Sequence, residues 1–215
     1  MEPSHARRYN NAEIERMVAQ ILANAFPKGI SIPIDIDRLV ERHDLVEDIV
    51  TGELLQDKFG VAAVLISKPN GHFDILVDED TFNVYSGRAN FSIAHEFGHV
   101  LLHSQICSNC QTVEDAISLR KRIKKSYDFI ERNANFFAGA ILMPLRTLPE
   151  DTARVYEFLV KDIGYGYNLV PYKLCSTLAQ RYEVTFQPME IRLKELNLDN
   201  KIQMALRLGA PYLDP

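Results

Sequence analysis

The sequence has few cysteines, no long apolar run and no excess of basic charge. Its three cysteines, Cys107, Cys110 and Cys175, are too few and odd in number for a secreted disulfide framework, so we expect reduced thiols. The longest apolar run, Phe136 to Leu145, is about half of the roughly 20 residues that a membrane span needs. A membrane protein is therefore not expected.

The charge balance and the first residues favour an ordinary cytosolic protein. A formal net charge of −5, from 24 basic and 29 acidic residues, argues against a nucleic-acid role for the whole chain, although a local basic patch could still bind. Met1 to Asn11 is polar and carries Arg7 and Arg8, so we expect no secretory signal and predict a cytoplasmic location. The 215 residues can bury one full core, with or without a smaller appendage.

The hydrophobic pattern of the first half predicts helices beside a small sheet. Apolar residues recur at helical spacing from Asn11 to Phe26, and a short helix is predicted from Ile34 to Arg42. The turn sequence Lys68-Pro-Asn-Gly71 separates two short apolar runs and predicts an antiparallel hairpin. The candidate strands are Val46–Val50, Phe59–Ile66 and His72–Val77.

Helices dominate the prediction for the second half. We expect one from Phe91 to His103, with Ser92 near its start, and a helical stretch from Glu114 to Ala140 that Pro144 and Pro149 end. Two short helices follow, and together they look like a helix-turn-helix. They span Tyr172–Tyr182 and Pro188–Leu196, and the residues after Leu198 show no informative pattern.

The pentapeptide His95-Glu96-Phe97-Gly98-His99 carries the chemistry. In a helix, positions i and i+4 project from one face, so both imidazoles can reach a single ion while Glu96 lies beside its vacant coordination position. A zinc ion bound there lowers the pKa of water to about 7, and Glu96 can take its proton and pass it to a leaving amine. The motif predicts hydrolysis of peptide bonds; two histidines on a helix without a metal are the alternative.

A catalytic zinc ion usually has three protein ligands, and His103 is the candidate nearest in sequence. Eight helical residues displace His103 by roughly 12 Å from His95, too far for a shared ion unless the helix breaks. We therefore expect His103 to pack in the core or to contact one of the metal ligands without binding the metal itself.

Glu131 is the better candidate for the third ligand. It shares a helix face with Asn135, whose side-chain oxygen can brace a metal-bound histidine. Small residues nearby would let this helix approach a neighbour closely. The alternatives are a solvent-facing Glu131 paired with Arg132 or Lys124, and a third ligand from Asp128, Glu114 or Asp115.

Two other features allow either a functional or a neutral interpretation. Cys107 and Cys110 have CxxC spacing, which allows a second metal or a redox switch, but a closed zinc site needs four ligands and the sequence offers no second pair. The basic run from Arg120 to Lys125 could contact nucleic acid or an acidic partner. A solvated helix face is the simpler interpretation of that run.

Taken together, these residues resemble the ImmA/IrrE family of metallo-endopeptidases. The resemblance covers roughly Ile32 to Leu196. It rests on Arg88-x-x-Phe91-Ser-Ile-Ala-His-Glu-Phe-Gly-His-Val-Leu-Leu-His103, on Glu131-x-x-Ala134-Asn135-x-Phe137-Ala138 and on Leu142-Met143-Pro144. It implies an α+β, minimal gluzincin-like (zincin) fold, in which a small mixed or antiparallel sheet and the active-site helices precede a helix-turn-helix-like section. It also implies that His95, His99 and Glu131 bind zinc and that Glu96 is the general acid/base.

The resemblance also implies a function. Family members cleave helix-turn-helix repressors of bacteria and mobile elements, so we expect a zinc endopeptidase with one Zn²⁺ per chain, or Mn²⁺ in its place, acting on a repressor that is a separate chain. Residues 1–150 would form the metallopeptidase domain and residues 151–215 the helical section, packed on it or apart. The alternative is a metal-bound regulator that binds a repressor or DNA without hydrolysing it. Direct DNA binding is the less favoured prediction.

Overall fold

The computed structural model describes residues 7–126, 128–165 and 169–212. Within them the chain forms eleven helices and one three-stranded sheet, so the fold is α+β, as predicted. None of the helices in these ranges is long and apolar enough to cross a membrane. In chain order the elements are α1 (Asn11–Ala25), α2 (Ile36–Glu41), β1 (Val46–Glu53), α3 (Leu55–Phe59), β2 (Ala63–Ser67), β3 (Phe73–Asp78), α4 (Glu79–Val84), α5 (Ser86–Cys107), α6 (Val113–Ser126), α7 (Asp128–Leu142), α8 (Leu148–Ile163), α9 (Leu169–Arg181), α10 (Phe186–Glu195) and α11 (Leu198–Leu208).

The sheet is mixed, with strand order β1-β3-β2. Strands β2 and β3 form the predicted antiparallel hairpin, and Gly71 in its turn has a positive φ of 85°, which glycine adopts without strain. Strand β1 pairs in parallel with β3. Strand was wrongly predicted at Phe59, because α3 ends at that residue, Gly60 caps it, and β2 begins only at Ala63.

The outer edge of β2 faces away from its partner strand. Ala62 accepts a hydrogen bond from Asp78 of β3 at 2.9 Å, so in an antiparallel ladder the alternate residues Ala63, Leu65 and Ser67 turn their backbone groups to the free edge. Two of these groups are already paired, because the Ser67 N–H donates to the Cys110 carbonyl at 2.7 Å and the Ala63 carbonyl accepts from Arg120 of α6 at 3.3 Å. This edge runs beside α5 and α6.

Helix α5 is the long buried helix that carries the pentapeptide. It begins at Ser86, earlier than predicted, so Ser92 lies within the helix rather than near its start. It packs between the sheet and α7. At His103 the backbone leaves helical geometry, with φ −136° and ψ 18°. The helix thus breaks at the residue that, in an unbroken helix, would be too far from His95 to share an ion.

The predicted stretch from Glu114 to Ala140 is two helices, not one. Helix α6 packs against β2, whereas α7 packs against α5 and α1, so the two helices bury their apolar faces against different elements. The junction, Tyr127, lies outside the described residues.

The C-terminal part is helical, as predicted, but contains more helices than predicted. Pro149 lies in the first turn of α8 and begins that helix instead of ending an earlier one, which agrees with the preference of proline for the first helical turn. Helices α9 and α10 match the predicted pair, and the residues after Leu198 form α11.

The C-terminal helices share buried contacts with the first part of the chain. Helix α10 packs on α7, and one apolar cluster contains residues from both sides of residue 150. The division into a unit before residue 150 and a unit after it stays a prediction.

Candidate metal centre

The pentapeptide places three polar side chains inside the core. His95, Glu96 and His99 are each less than 10% exposed, on the face of α5 that meets α7 and β2. The Nε2 atoms of the two histidines lie 3.1 Å apart, one helical turn from each other. Helical spacing alone brings these two rings together, as the sequence predicts.

Helix α7 supplies the carboxylate that faces both rings. Glu131 places Oε2 at 3.5 Å from Nε2 of His95 and Oε1 at 3.6 Å from Nε2 of His99. The approach is close because Gly98 has no side chain: a Cβ there would lie 3.1 Å from Phe137 and 3.3 Å from the Cα of Ala134. Among the described residues, the group of potential metal ligands that the structure brings together is His95, His99 and Glu131.

The other acids weighed for this position lie elsewhere. Asp128 forms an exposed ion pair with Arg132, one turn along α7. Asp115 caps the start of α6, where its carboxylate accepts from the backbone N–H of Thr112, and Glu114 is exposed beside it. Glu131 is therefore neither paired with Arg132 nor turned to solvent, and the side chain of Lys124, the other partner considered, lies outside those that the structure describes.

The three side chains fit a metal ion. Their facing atoms are 3.1 to 3.6 Å apart. Four ligands at the corners of a tetrahedron around zinc, at bond lengths of about 2.0–2.1 Å, are about 3.3–3.4 Å from each other. Nitrogen and carboxylate oxygen are also ligands that zinc accepts in catalytic sites.

Both histidines are oriented by a contact to Nδ1, the ring nitrogen that does not face Glu131. His95 directs Nδ1 at the Asn135 side-chain oxygen, 3.0 Å away, so Nδ1 carries the proton and Nε2 presents a lone pair toward Glu131. His99 directs Nδ1 at Nδ1 of His103, 3.1 Å away. His103 thus contacts a candidate ligand and does not itself join the group.

Burial changes the pKa values of side chains in the group formed by His95, Glu96, His99 and Glu131, which we call the cluster. Burial raises the pKa of Glu96, although the Arg120 charge opposes that effect. Burial acts to raise the pKa of Glu131 too, but His95, His99 and Arg120 outweigh it and hold that pKa at about 2. Burial lowers the pKa of His99, so its imidazole is neutral, as a metal ligand must be.

Arg120 is the site residue that the sequence interpretation missed. It extends from α6 into the cluster, where Nη2 lies 3.3 Å from Oε1 of Glu96 and 3.4 Å from Nε2 of His95. The prediction of a solvated face is wrong for Arg120, although Lys121 and Arg122 are exposed. A signal was present, because Arg120 is at helical spacing from the apolar residues Ala116 and Ile123.

The cysteine pair lies close to the site but outside the ligand group. Cys107 and Cys110 are both buried and both free thiols. Burial raises the pKa of Cys107 strongly and that of Cys110 to about 11, so neither is a ready thiolate. The carbonyl of Cys110 bonds to the edge of β2, which gives this turn a structural contact.

Two adjoining cavities give access to the cluster. A cavity of about 230 Å³ is bounded by His95, Glu96, Arg120 and Glu131. Next to it runs a groove of about 1070 Å³, and Ala62, Phe91, Ser92 and Asn135 line both. The cluster is therefore open to a molecule much larger than water.

Comparison with known proteins gives a family match. The family model described as IrrE N-terminal-like domain, Peptidase_M78, matches residues 83–194, just over half of the chain. No curated protein matches the sequence. A solved structure, described as a Mycobacterium tuberculosis transcriptional regulator, is 19% identical with a TM-score of 0.46; the match covers 86% of this chain and 46% of that one. This chain thus spans less than half the length of that regulator.

Proposed function

Because the chain belongs to the IrrE N-terminal-like domain family, Peptidase_M78, we propose that it is a zinc-dependent endopeptidase that cleaves a partner protein. The observation that carries this proposal is the convergence of His95, His99 and Glu131 beside the buried carboxylate of Glu96. Two imidazoles and one carboxylate are a ligand set used by zinc peptidases.

The proposal assigns one role to each polar side chain. His95, His99 and Glu131 would hold the ion, and Asn135 and His103 would orient the two imidazoles. When bound, zinc supplies a water of lowered pKa and polarises a carbonyl group. Glu96 would take the proton of the attacking water and hand it to the leaving amine, a task that suits a carboxylate whose pKa is raised.

The size of the groove favours a peptide as the substrate. A space of about 1070 Å³ beside the cluster can accept several residues of a chain, whereas a small metabolite would leave most of it unfilled. The groove reaches the cluster past Ala62, Phe91 and Ser92, so a peptide that lies in it would arrive beside Glu96.

We propose a helix-turn-helix repressor, present with this protein in the cytoplasm, as the partner. The support for this choice is the family resemblance of the motifs. Cleavage of the repressor would allow transcription of the genes that it represses.

The test uses purified, zinc-loaded protein and the repressor encoded nearest to its gene. We expect a discrete cut by the wild type and none by Glu96→Gln, which keeps the size of the side chain but cannot accept the proton. Glu131→Ala should lose bound zinc, whereas Asp128→Asn, an exposed acid on the same helix, should retain it. Equal cleavage by wild type and Glu96→Gln would overturn the proposed role of Glu96.

The same experiment separates the second candidate function. A metal-bound regulator would form a stable complex with the repressor and leave it uncut even with zinc loaded. The presence of Glu96 beside the ligands favours hydrolysis, since a purely structural site needs no base.

A further inference from the structure

We propose that Arg120 is a catalytic residue whose guanidinium donates hydrogen bonds to the carbonyl oxygen of the peptide bond being cut. This inference rests on the proposed peptidase function. The sequence motif contains a base and ligands but no group that stabilises the negative charge formed on that oxygen. Such groups are among the largest contributors to catalysis.

Arg120 bridges the strand edge and the metal-ligand cluster. Its Nη1 donates to the Ala63 carbonyl at 3.3 Å, on the free edge of β2. Its Nη2 lies 3.3 Å from Glu96, and its Nε lies 3.9 Å from Oε2 of Glu131. The guanidinium also bounds the cavity that adjoins the groove, so a peptide that enters the cluster from the groove would pass directly beside it.

The side chain is anchored but still available. Its helix α6 packs on β2, and Ile123 on the same face is buried. The Arg120 side chain itself is 32% exposed, and its contacts of 3.3 to 3.9 Å are long for charge-assisted hydrogen bonds, which are usually about 2.7–2.9 Å. Substrate oxygen can therefore compete for these donors.

Among the described residues that line the cavity over the cluster, Arg120 is the one lysine or arginine. The other polar candidates there are Ser92 and Asn135, and the Asn135 side-chain oxygen is already used by His95. A fixed positive donor is the group that a developing oxyanion requires.

Hydrolysis would proceed by addition of water and then loss of the amine. The water oxygen adds to the carbonyl carbon while one of its protons moves to Glu96, and the electron pair of the C=O bond moves onto the carbonyl oxygen. Arg120 donates hydrogen bonds to this oxygen and transfers no proton. The pair then re-forms the C=O bond, the C–N bond breaks, and the amine takes the proton from Glu96.

Zinc affinity tests whether Arg120 stays beside the cluster when the ion is bound. If it stays, its positive charge opposes the ion, so Arg120→Ala should bind zinc roughly three- to tenfold more tightly in a competition assay with a chromophoric chelator. Arg122→Ala, an exposed neighbour on α6, should match the wild type. Unchanged or weaker zinc binding by Arg120→Ala would overturn the inference, because the guanidinium would then have left the site.

The kinetics of repressor cleavage test the catalytic role of Arg120. We expect kcat of Arg120→Ala to fall roughly 10²- to 10³-fold with KM within about threefold, and Arg120→Lys to retain part of the rate. Added guanidinium ion should partly restore Arg120→Ala but not Glu96→Gln. A residue that merely anchors α6 would raise KM or lower the unfolding midpoint and show no rescue.

The two proposals fail in different ways. An active wild type with unchanged kcat in Arg120→Ala overturns only the inference about Arg120. A zinc-loaded wild type that cuts no repressor overturns the peptidase function and the catalytic role with it.

Discussion

The Nδ1 atoms of His99 and His103 lie 3.1 Å apart where α5 leaves helical geometry. Only one of the two nitrogens can carry the proton. In the proposed metal site Nε2 of His99 would present a lone pair to the ion, so its Nδ1 would hold the proton and donate it to His103. His103 then carries its own proton on Nε2, which is buried and lacks a hydrogen-bond partner among the described residues.

The first prediction concerns this contact. His103→Phe removes the acceptor of His99, so we expect zinc affinity to fall roughly 10- to 100-fold. His103→Gln keeps an acceptor oxygen and should lose less. A chelator competition assay measures both, and equal affinity in wild type and His103→Phe would show that His103 only fills space.

The second prediction concerns the partner of His95. Asn135→Leu removes the oxygen that lies 3.0 Å from Nδ1, and we expect a similar 10- to 100-fold loss of zinc affinity. Asn135→Asp retains an acceptor and should hold zinc about as well as wild type. If both variants bind zinc equally, the contact does not orient the ring.

The third prediction tests the close packing of α5 on α7. A Cβ at Gly98 would press on Phe137 and Ala134, so Gly98→Ala should destabilise the protein by about 1–3 kcal/mol despite the better helix propensity of alanine. At Gly139 the nearest atom would be 3.7 Å away, and Gly139→Ala should be neutral or stabilising by up to about 1 kcal/mol. Urea unfolding gives both values, and the same sign for the two variants would contradict the packing argument.

The fourth prediction concerns the thiols and pH. Burial raises the pKa of Cys110 and of Cys175 to about 11, so at pH 8 iodoacetamide should label the native protein roughly a hundredfold or more slower than the urea-unfolded chain. Folded thiols then keep protons that unfolded thiols release, so stability should decline as pH rises from about 9 toward 11. Fast labelling of Cys107 or Cys110 at pH 8 would support the redox prediction instead.

The fifth prediction concerns a buried cation that ties α10 to the rest of the fold. Arg192 is fully buried, with Nη2 at 2.7 Å from Glu15 of α1 and Nε donating to the Met143 carbonyl. Arg192→Met leaves a carboxylate without its partner and should cost about 3–5 kcal/mol in urea unfolding. The exposed pair of Lys194 and Glu190 on the same helix is the control, and Lys194→Met should cost less than about 1 kcal/mol. Equal costs would mean that burial of the pair contributes nothing.

Several features of the site follow from neighbours within one helical turn. His95 and His99 converge because i and i+4 share a helix face, and Glu131 shares its face with Asn135 for the same reason. The hairpin is equally local, because Lys68 to Gly71 form a turn between two apolar runs. Such patterns can be found in the sequence because the interacting groups are close along the chain.

Other features depend on groups that are distant along the chain. The sheet is mixed because β1 pairs with β3, and no local pattern distinguishes that pairing from an antiparallel one. The stretch from Glu114 to Ala140 divides because its two apolar faces pack on different elements, β2 and α5. The sequence pattern predicted helix along the whole stretch but not that its two parts pack on different elements.

The sequence by itself determined the candidate ligands on α5, the candidate base between them and the helical geometry that brings the two imidazoles together, since these are set by residue chemistry and helical periodicity. Only the tertiary structure decided that Glu131 faces both histidines and that Arg120 enters the cluster. Helical spacing from Ala116 and Ile123 places Arg120 on the apolar face of α6, but the element against which that face packs depends on the rest of the fold. Here the packing of α6 on β2 turns Arg120 toward Glu96, while Arg122 faces solvent.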